Sequence, residues 1–299
     1  MDTHPTPTRL RRVTLAGGLQ LEYVEQGPRG GLPLVCLHGI TDSWRSFEPL
    51  MAALPPDRHV IAISMRGHGG SDQWPRSYRL REFAADIAGF MQSLALPPAL
   101  VMGHSMGSAV AMLLAAEHPQ RVAGVVAAGA FASFADKADL LEFFRSTVAP
   151  LTDPVPHALA HEFQRSTVAG EVAPGLLETM TAESLRVPAR IWRAAFAGLF
   201  EQDALGPRLP HVRAPTLLLW GSADALVPRS DTVRLLRTLS DVRLRELPGV
   251  GHAPHWEQPA TVARAVQDFA ASLESEGRRT VPSSPRRHAP AALPEAGRG

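Results

Sequence analysis

A serine stands in the motif GHSMG at residues 103–107, which fits the pattern G-x-S-x-G. An apolar run enters this motif, and an Ala- and Leu-rich segment with helical character leaves it. That strand–turn–helix context predicts that Ser105 is displayed on a tight turn, with its hydroxyl beside the first amides of a new helix. Gly103 and Gly107 carry no Cβ, so the backbone can pack closely on either side of the turn. The pattern predicts a nucleophilic serine.

A histidine near the end of the chain is the candidate base for this serine. A serine hydroxyl is a weak nucleophile at neutral pH and needs a base within hydrogen-bond reach. Among the 12 histidines, His252 lies in the sequence GVGHAP at 249–254, between the last predicted strand and the last predicted helix. Loops at the carboxyl ends of parallel strands face one crevice. We therefore expect His252 to lie on the same side of the sheet as Ser105.

A carboxylate is needed to fix the tautomer of the base and to stabilise its imidazolium form. The sequence GSAD follows the apolar run 217–220 directly, which puts Asp224 at another carboxyl end of a strand. Asp231 lies one helix turn further on and is the weaker candidate. We therefore expect Asp224 to be the partner of His252.

Apolar segments alternate with helical patterns over most of the chain. This alternation predicts an α/β fold with a mostly parallel, doubly wound sheet of about eight strands. A hairpin broken at Gly17-Gly18 precedes the parallel part. The alternation stops at residue 131 and resumes near 211, and several short helices separated by prolines lie between. The predicted strands after the hairpin are 33–37, 59–64, 99–102, 121–128, 216–220 and 243–247, and the predicted helices are 43–54, 78–96, 137–148, 155–167, 189–200, 229–239 and 258–273.

These features together resemble the α/β-hydrolase fold superfamily over about residues 12–274. The motifs that carry the resemblance are HGI at 38–40, the Gly-rich loop 66–72, GHSMG at 103–107, and the loops of Asp224 and His252. The order Ser105, Asp224, His252 is the order that this fold uses. One position departs from many relatives, which have an Asp where this chain has Ser64.

The resemblance implies a domain organisation. Residues 11–130 and 211–274 form the hydrolase core, and residues 131–210 form a helical cap inserted in it. Residues 1–10 are expected to be a flexible leader. Residues 275–299 are rich in Pro, Ser and Arg without periodicity, which is typical of a disordered tail.

The resemblance also implies an oxyanion hole, in which backbone N–H groups stabilise a tetrahedral intermediate. The N–H of Met106 follows the nucleophile and begins the new helix, where the helix dipole is positive. The second donor is expected from the loop after His38 and Gly39, as the N–H of Ile40. His38 itself is expected to have a structural role.

Aromatic residues are concentrated in the cap, which holds seven of the 11 phenylalanines. They either line an apolar substrate pocket or pack the cap against the core, and both interpretations stay open. The residues expected to line the pocket are Trp44, Phe131, Phe144 and Trp192. His157 and His161 have the i, i+4 spacing of some metal sites, but no third ligand is evident and we expect no metal.

Composition narrows the other possibilities. The formal net charge is +1 and the arginines are scattered among acids, so no nucleic-acid partner is expected. The single cysteine, Cys36, excludes an internal disulfide and fits a reducing compartment. The N-terminus lacks an apolar secretory core, and no apolar run is long enough to span a membrane. A cytoplasmic location is expected, and monomer and dimer stay open.

The resemblance implies a serine hydrolase that needs no cofactor and cleaves a small to medium hydrophobic carboxylic ester, lactone or thioester. Serine at position 105 excludes the dehalogenase and epoxide-hydrolase chemistry that needs an Asp nucleophile. Carbon–carbon-bond hydrolases of ring-cleavage products and cofactor-free perhydrolases or haloperoxidases share the same triad and stay open. For the former, Arg190 or Arg193 would serve to bind a substrate carboxylate. A ligand receptor without turnover is a further alternative.

Overall fold

The strands at the centre of the sheet are short apolar runs that are buried on both faces. The computed structural model describes residues 9–75, 77–200 and 205–280, with side chains as far as 275. Eight strands form one sheet. They are β1 Arg9–Thr14, β2 Gln20–Gln26, β3 Leu34–Leu37, β4 Val60–Ile63, β5 Ala99–His104, β6 Val122–Ala128, β7 Thr216–Gly221 and β8 Val242–Leu247.

The strand order is β1-β2-β4-β3-β5-β6-β7-β8. β1 and β2 form the hairpin predicted around Gly17-Gly18, and β2 runs antiparallel to β4. All the other neighbouring strands are parallel. The prediction of a mostly parallel sheet of about eight strands is confirmed.

Helices cover both faces of this sheet. They are α1 Glu48–Ala53, α2 Leu80–Ser93, α3 Met106–Glu117, α4 Ala138–Phe143, α5 His157–Arg165, α6 Leu176–Arg186, α7 Ala189–Phe200, α8 Arg229–Thr238, α9 Pro254–Glu257 and α10 Pro259–Thr280. A π-helical turn, Phe144–Val148, continues α4, and short 3₁₀ turns lie at Trp44–Phe47, Pro119–Arg121 and Gly206–His211.

The two faces are packed by alternate residues of the same strands, as the period of two in a strand requires. Val35 and Leu37 of β3 belong to the cluster that contains the apolar faces of α2 and α3. Leu34 and Cys36 belong to the opposite cluster, with α1 and α10. Burial raises the pKa of the Cys36 thiol, so this residue is a packing element of the core.

The cap segment leaves the sheet after β6 and returns to it before β7, and α4 to α7 lie within it. Its helices share the hydrophobic cluster that covers one face of the core. The N–H of Ala132 donates to Asp231 Oδ1 of α8 at 2.8 Å, and Lys137 Nζ lies 2.6 Å from Asp231 Oδ2. One end of the cap is therefore fixed to the core by a buried carboxylate.

Several element boundaries differ from those predicted. The predicted helix 43–54 is divided into a 3₁₀ turn and α1, with Pro49 in the first turn of α1. β5 continues past the predicted end at 102, as far as His104. Arg9 and Leu10 of the predicted leader belong to β1, and α10 continues past the predicted start of the tail at 275. The remaining leader and tail residues, 1–8 and 281–299, lie outside the described residues.

No helix in the described ranges is both long enough and apolar enough to cross a bilayer.

Candidate active site

Ser105 stands between β5 and α3 in a strained backbone conformation. Its φ is +52° and its ψ is −117°, which is unusual for a residue with a side chain. Such a conformation costs about 1–3 kcal/mol and persists only where the surroundings fix it. Its N–H donates to Ala128 O of β6 at 2.9 Å. A Cβ at Gly103 would collide with the backbone of Gly107, and one at Gly107 with that of Leu37, so both glycines are needed for this turn.

Asp224 and His252 form a buried pair on neighbouring loops. Asp224 follows β7 and His252 follows β8, and Asp224 Oδ2 lies 2.9 Å from His252 Nδ1. The other oxygen, Asp224 Oδ1, accepts from the N–H groups of Leu226 at 2.8 Å and Val227 at 2.9 Å. A carboxylate accepts, so Nδ1 carries the proton and Nε2 presents its lone pair. Within the described residues His252 Nε2 has no hydrogen-bond partner, so it is available as a base.

Two features bring His252 next to the serine turn. The ring of His104, which directly precedes Ser105, lies 5.0 Å from the ring of His252, and its Nε2 is 3.1 Å from His252 O. Gly129, the residue after Ala128, has φ +55° and lies against the imidazole of His252. Any Cβ at position 129 would meet that ring. The sequence analysis missed Gly129, although its position at the end of β6 was a usable signal.

The two predicted oxyanion donors lie at the same place. Ile40, Ser105 and Met106 all line one cavity. Neither the Ile40 N–H nor the Met106 N–H donates a hydrogen bond to any residue that the structure describes. Both amides are therefore unpaired among the described residues, as the prediction of an oxyanion hole requires.

His38 connects this loop to the backbone of the neighbouring loop. Its Nδ1 lies 2.6 Å from Gly39 O, and its Nε2 accepts from the Met65 N–H at 2.9 Å. Burial holds the pKa of His38 well below its ordinary value, so the ring is neutral. Both ring nitrogens are engaged by backbone, which leaves none for substrate.

The cavity above Ser105 has a volume of about 740 Å³, within the range of small-molecule sites. Core residues form its floor and cap residues form most of its wall. Its apolar lining includes Ile40, Met106, Phe131, Phe134, Leu140, Phe143, Leu159, Phe163, Phe196, Leu199 and Leu226.

Of the four residues expected to line this pocket, only Phe131 does so. Trp192 is fully buried between Phe163 and Phe196, and its indole N–H donates to Ser184 O. Phe144 packs against Phe200 with the two rings tilted and their centres 5.8 Å apart.

Trp44 packs at the edge of the cluster on the opposite face of the sheet, with the Arg45 guanidinium over its ring. The predictions for Trp44, Phe144 and Trp192 were wrong, because these side chains are used for packing between elements.

Four charged residues lie on the cavity wall: Asp136, Lys137, Asp139 and Glu162. Lys137 is paired with Asp136 at 2.7 Å and with Asp231 at 2.6 Å, so its charge is already balanced. Neither arginine considered for carboxylate binding lines this cavity. Arg190 donates to Gln73, and Arg193 donates to Leu151 O.

A buried polar cluster lies behind the triad, and the sequence analysis missed it. Asp42 Oδ1 accepts from Gln164 Nε2 at 2.8 Å, and Asp42 Oδ2 lies 3.9 Å from His104 Nδ1. Burial raises the pKa of Asp42 to about 7, against the hydrogen bonds from Gln164 and Ser46. Burial lowers the pKa of His104 well below its ordinary value and that of His255 to about 3. Asp42 lies two residues after Ile40, the predicted oxyanion donor, and this closeness in sequence could have indicated that Asp42 belongs to the site.

The paired histidines of the cap do not form part of a larger ligand set. The rings of His157 and His161 lie 6.2 Å apart on α5. Among the described residues, no group of three or more His, Cys, Asp or Glu side chains is arranged to hold a metal ion.

Comparison with known proteins agrees with this architecture. Residues 33–259 match the family model described as alpha/beta hydrolase fold. The chain belongs to this family. It is an enzyme of the hydrolase class that this fold supports.

Individual relatives differ in their chemistry. The chain is 30% identical to a non-heme chloroperoxidase of Streptomyces lividans, over 80% of this chain and 92% of that protein. It is 28% identical to a 2-hydroxy-6-oxo-2,4-heptadienoate hydrolase of Pseudomonas putida, over 87% of this chain and 96% of the relative. Among solved structures, a thermophilic esterase from Thermogutta terrifontis superposes with a TM-score of 0.78 at 25% identity, over 89% of this chain and 99% of the esterase.

Proposed function

We propose that the chain is a serine esterase that hydrolyses an uncharged, small to medium hydrophobic carboxylic ester through an acyl-enzyme at Ser105. The observation that carries the proposal is the buried Asp224–His252 pair, whose imidazole lies against Gly129 and 5.0 Å from the ring of His104, the residue before the strained turn of Ser105. A base oriented by a carboxylate and adjacent to a displayed serine is the arrangement that activates a hydroxyl nucleophile.

The proposed reaction has two halves. In the first, Ser105 Oγ forms a bond to the ester carbonyl carbon while His252 Nε2 takes its proton. The N–H groups of Ile40 and Met106 donate to the oxyanion that results. The C–O bond to the alcohol then breaks, and His252 gives its proton to the leaving oxygen. In the second half, His252 Nε2 takes a proton from water, whose oxygen forms a bond to the acyl carbon. The bond from that carbon to Ser105 Oγ then breaks, and His252 gives its proton to Ser105 Oγ as the acid is released.

The charges on the cavity wall support an uncharged substrate. The one lysine on the wall is neutralised by two aspartates, while Asp139 and Glu162 have no ion-pair partner among the described residues. An anionic substrate would meet these two carboxylates and no unpaired lysine or arginine among the described lining residues, which disfavours its binding. This argues against the alternative of a carbon–carbon-bond hydrolase acting on carboxylate-bearing ring-cleavage products.

A substrate panel tests the proposal. Nitrophenyl esters of rising acyl length, an aliphatic lactone, a vinylogous diketone and the nitrophenyl ester of succinic acid are assayed with the natural chain and with Ser105→Ala. We expect a neutral ester of intermediate chain length to be the best substrate. Ser105→Ala should lose about 10⁴-fold or more in kcat, because the nucleophile is removed.

Ser240→Ala is the matched control, since Ser240 is exposed and its hydroxyl donates only to Val212 O. Ester turnover that survives Ser105→Ala undiminished would refute the mechanism. Faster cleavage of the diketone than of every ester would keep the triad and overturn the substrate class.

A further inference from the structure

The residue after the proposed donor Ile40 is held in a conformation that it would not adopt unaided. Thr41 has φ +67°, in the left-handed region that a β-branched side chain rarely enters. It is fully buried. A strained residue of this kind persists only where its neighbours fix it, so the contacts of Thr41 identify what holds the oxyanion loop in place.

Those contacts come from the cap. Thr41 Oγ1 lies 3.0 Å from Ser184 Oγ of α6. Gln164 of α5 donates from its amide nitrogen to Ser184 Oγ at 2.7 Å and to Asp42 Oδ1 at 2.8 Å, and the same nitrogen lies 3.4 Å from Thr41 Oγ1. Gln164 and Ser184 are both buried, so these bonds are shielded from water. Two cap helices therefore hold two consecutive residues of the oxyanion loop.

The same cluster reaches the catalytic histidine through His104. His104 Nε2 lies 3.1 Å from His252 O, and because a carbonyl oxygen only accepts, Nε2 carries the proton. His104 Nδ1 then presents a lone pair toward Asp42 Oδ2, 3.9 Å away, and has no hydrogen-bond partner among the described residues.

Gly39 lies beside both of these groups, with no room for a side chain. A Cβ at Gly39 would lie 3.0 Å from Asp42 Oδ2 and 3.0 Å from His104 Nδ1. The loop, the serine turn and the backbone of His252 are thus packed into one unit, whose outer side is held by Gln164 and Ser184.

We infer that Gln164 and Ser184 are positioning residues for the oxyanion hole, so that the cap takes part in assembling the catalytic site as well as enclosing it. This inference rests on the proposed function, because it assumes that the Ile40 N–H stabilises a tetrahedral oxyanion. Without the cap bonds Thr41 relaxes toward ordinary φ values, and the adjoining Ile40 amide moves with it. A displacement of about 1 Å in a catalytic group is enough to cost about 10²-fold in rate.

Three variants test the inference. Gln164→Met keeps the length of the side chain and removes every hydrogen bond that the amide nitrogen donates, and Ser184→Ala removes a single hydroxyl. Thr181→Val is the matched control, because Thr181 is buried on α6 and its hydroxyl donates only to Leu177 O within the same helix. For each variant we would measure kcat, KM, the inhibition constant of phenylboronic acid and the thermal midpoint. Phenylboronic acid forms a tetrahedral adduct on an active serine, so its affinity reports the oxyanion geometry.

Gln164→Met and Ser184→Ala should lower kcat by about 10- to 100-fold, less than the 10²–10³-fold loss expected when an oxyanion donor itself is removed. Their affinity for phenylboronic acid should fall by a similar factor, while KM stays within about twofold. Thr181→Val should leave kcat, KM and the affinity for phenylboronic acid unchanged.

Unchanged kcat and boronate affinity in both variants would overturn the inference. A rise in KM alone would also overturn it, because the cap would then act only as a pocket wall. If Gln164→Met fails to fold, Ser184→Ala carries the same test. Labelling of Ser105 by a fluorophosphonate in the natural chain distinguishes failure of the proposed function from failure of this inference. If Ser105 is not labelled, the proposed function fails. If Ser105 is labelled but neither variant changes kcat or boronate affinity, only this inference fails.

Discussion

The floor and the wall of the cavity are built in different ways. On the floor, each proposed catalytic group follows the end of a parallel strand, as Ser105 follows β5, Asp224 follows β7 and His252 follows β8. The register of the sheet fixes these positions. On the wall, the cap helices have no strand to fix them, and the side chains that face substrate are selected by how the helices pack on one another.

This difference explains why similar residue types have different roles on either side of the cavity. Asp224 and Asp231 are both buried, and both accept a hydrogen bond from a backbone N–H. The second oxygen of Asp224 lies at hydrogen-bonding distance from the imidazole of His252, and the second oxygen of Asp231 forms an ion pair with Lys137 of the cap. In the proposed mechanism Asp224 serves the chemistry of the floor, whereas Asp231 links the cap to the core.

Exchanging these two aspartates for asparagine should give the largest contrast. Asp224→Asn is expected to lower kcat by about 10⁴-fold, because an amide no longer fixes the tautomer of His252. Asp231→Asn is expected to lower the free energy of unfolding by about 3 kcal/mol, since it leaves the Lys137 ammonium without its buried partner. Its kcat should stay within about tenfold of the natural value. Steady-state kinetics and urea denaturation of both variants check this.

The result that would contradict this prediction is an equal loss of kcat in Asp231→Asn and Asp224→Asn, measured where the same fraction of each variant is folded. In that case Asp231 would also serve the chemistry, and the separation between floor and wall would be wrong.

Two aromatic residues of the cap sharpen the comparison on the wall itself. Trp192→Ala removes a fully buried side chain and should cost about 3–5 kcal/mol of unfolding free energy. Phe143 lines the cavity and stacks on Phe163 at 5.9 Å, so Phe143→Ala enlarges the pocket. We expect it to raise kcat/KM for a long acyl ester relative to acetate by about tenfold, the lower end of what one methylene is worth in a hydrophobic pocket.

Urea denaturation and the dependence of kcat/KM on acyl length separate these effects. If Phe143→Ala lost as much unfolding free energy as Trp192→Ala, and neither variant changed its preference for acyl length, Phe143 would also be a packing residue.

The positions of the floor residues could be predicted from the sequence because local pattern and strand order determine them, while their catalytic roles stay predictions. Ser105 lies in a motif that requires glycine on both sides, and each glycine is indeed packed against backbone. Asp224 and His252 could be assigned from the rule that loops at the carboxyl ends of strands share one side of the sheet. The pair that this rule brings together lies at hydrogen-bonding distance.

The wall was predicted poorly because its geometry depends on long-range packing. Trp192 and Phe131 are both aromatic residues of the cap region, and no local signal tells which one faces the cavity and which one is enclosed. Gln164 meets Asp42 across 122 positions of the chain, in a contact that no short motif encodes. Hydrophobic periodicity identifies helices but not the rotation of one helix against another.

Asp42 lies at the junction of floor and wall, and its titration is expected to make the free energy of unfolding depend on pH. Burial raises its pKa from 3.8 to about 7 in the folded chain. The folded protein therefore keeps a proton that the unfolded chain releases, so the free energy of unfolding decreases as the pH rises from about 4 to about 7. At 1.36 kcal/mol per pKa unit, the full decrease is about 4 kcal/mol at most.

Asp42→Asn imitates the protonated acid, because its amide oxygen still accepts from Gln164 and its amide nitrogen faces His104 Nδ1. The stability of this variant relative to the natural chain should increase between pH 4 and pH 7 and stay constant above that. Urea denaturation at pH 4.5, 6, 7.5 and 9 measures the difference. A difference that does not change with pH would mean that Asp42 is already ionised in the folded protein. The bond from the cap would then be made to a carboxylate, and the junction would hold a charged group rather than a neutral carboxyl group.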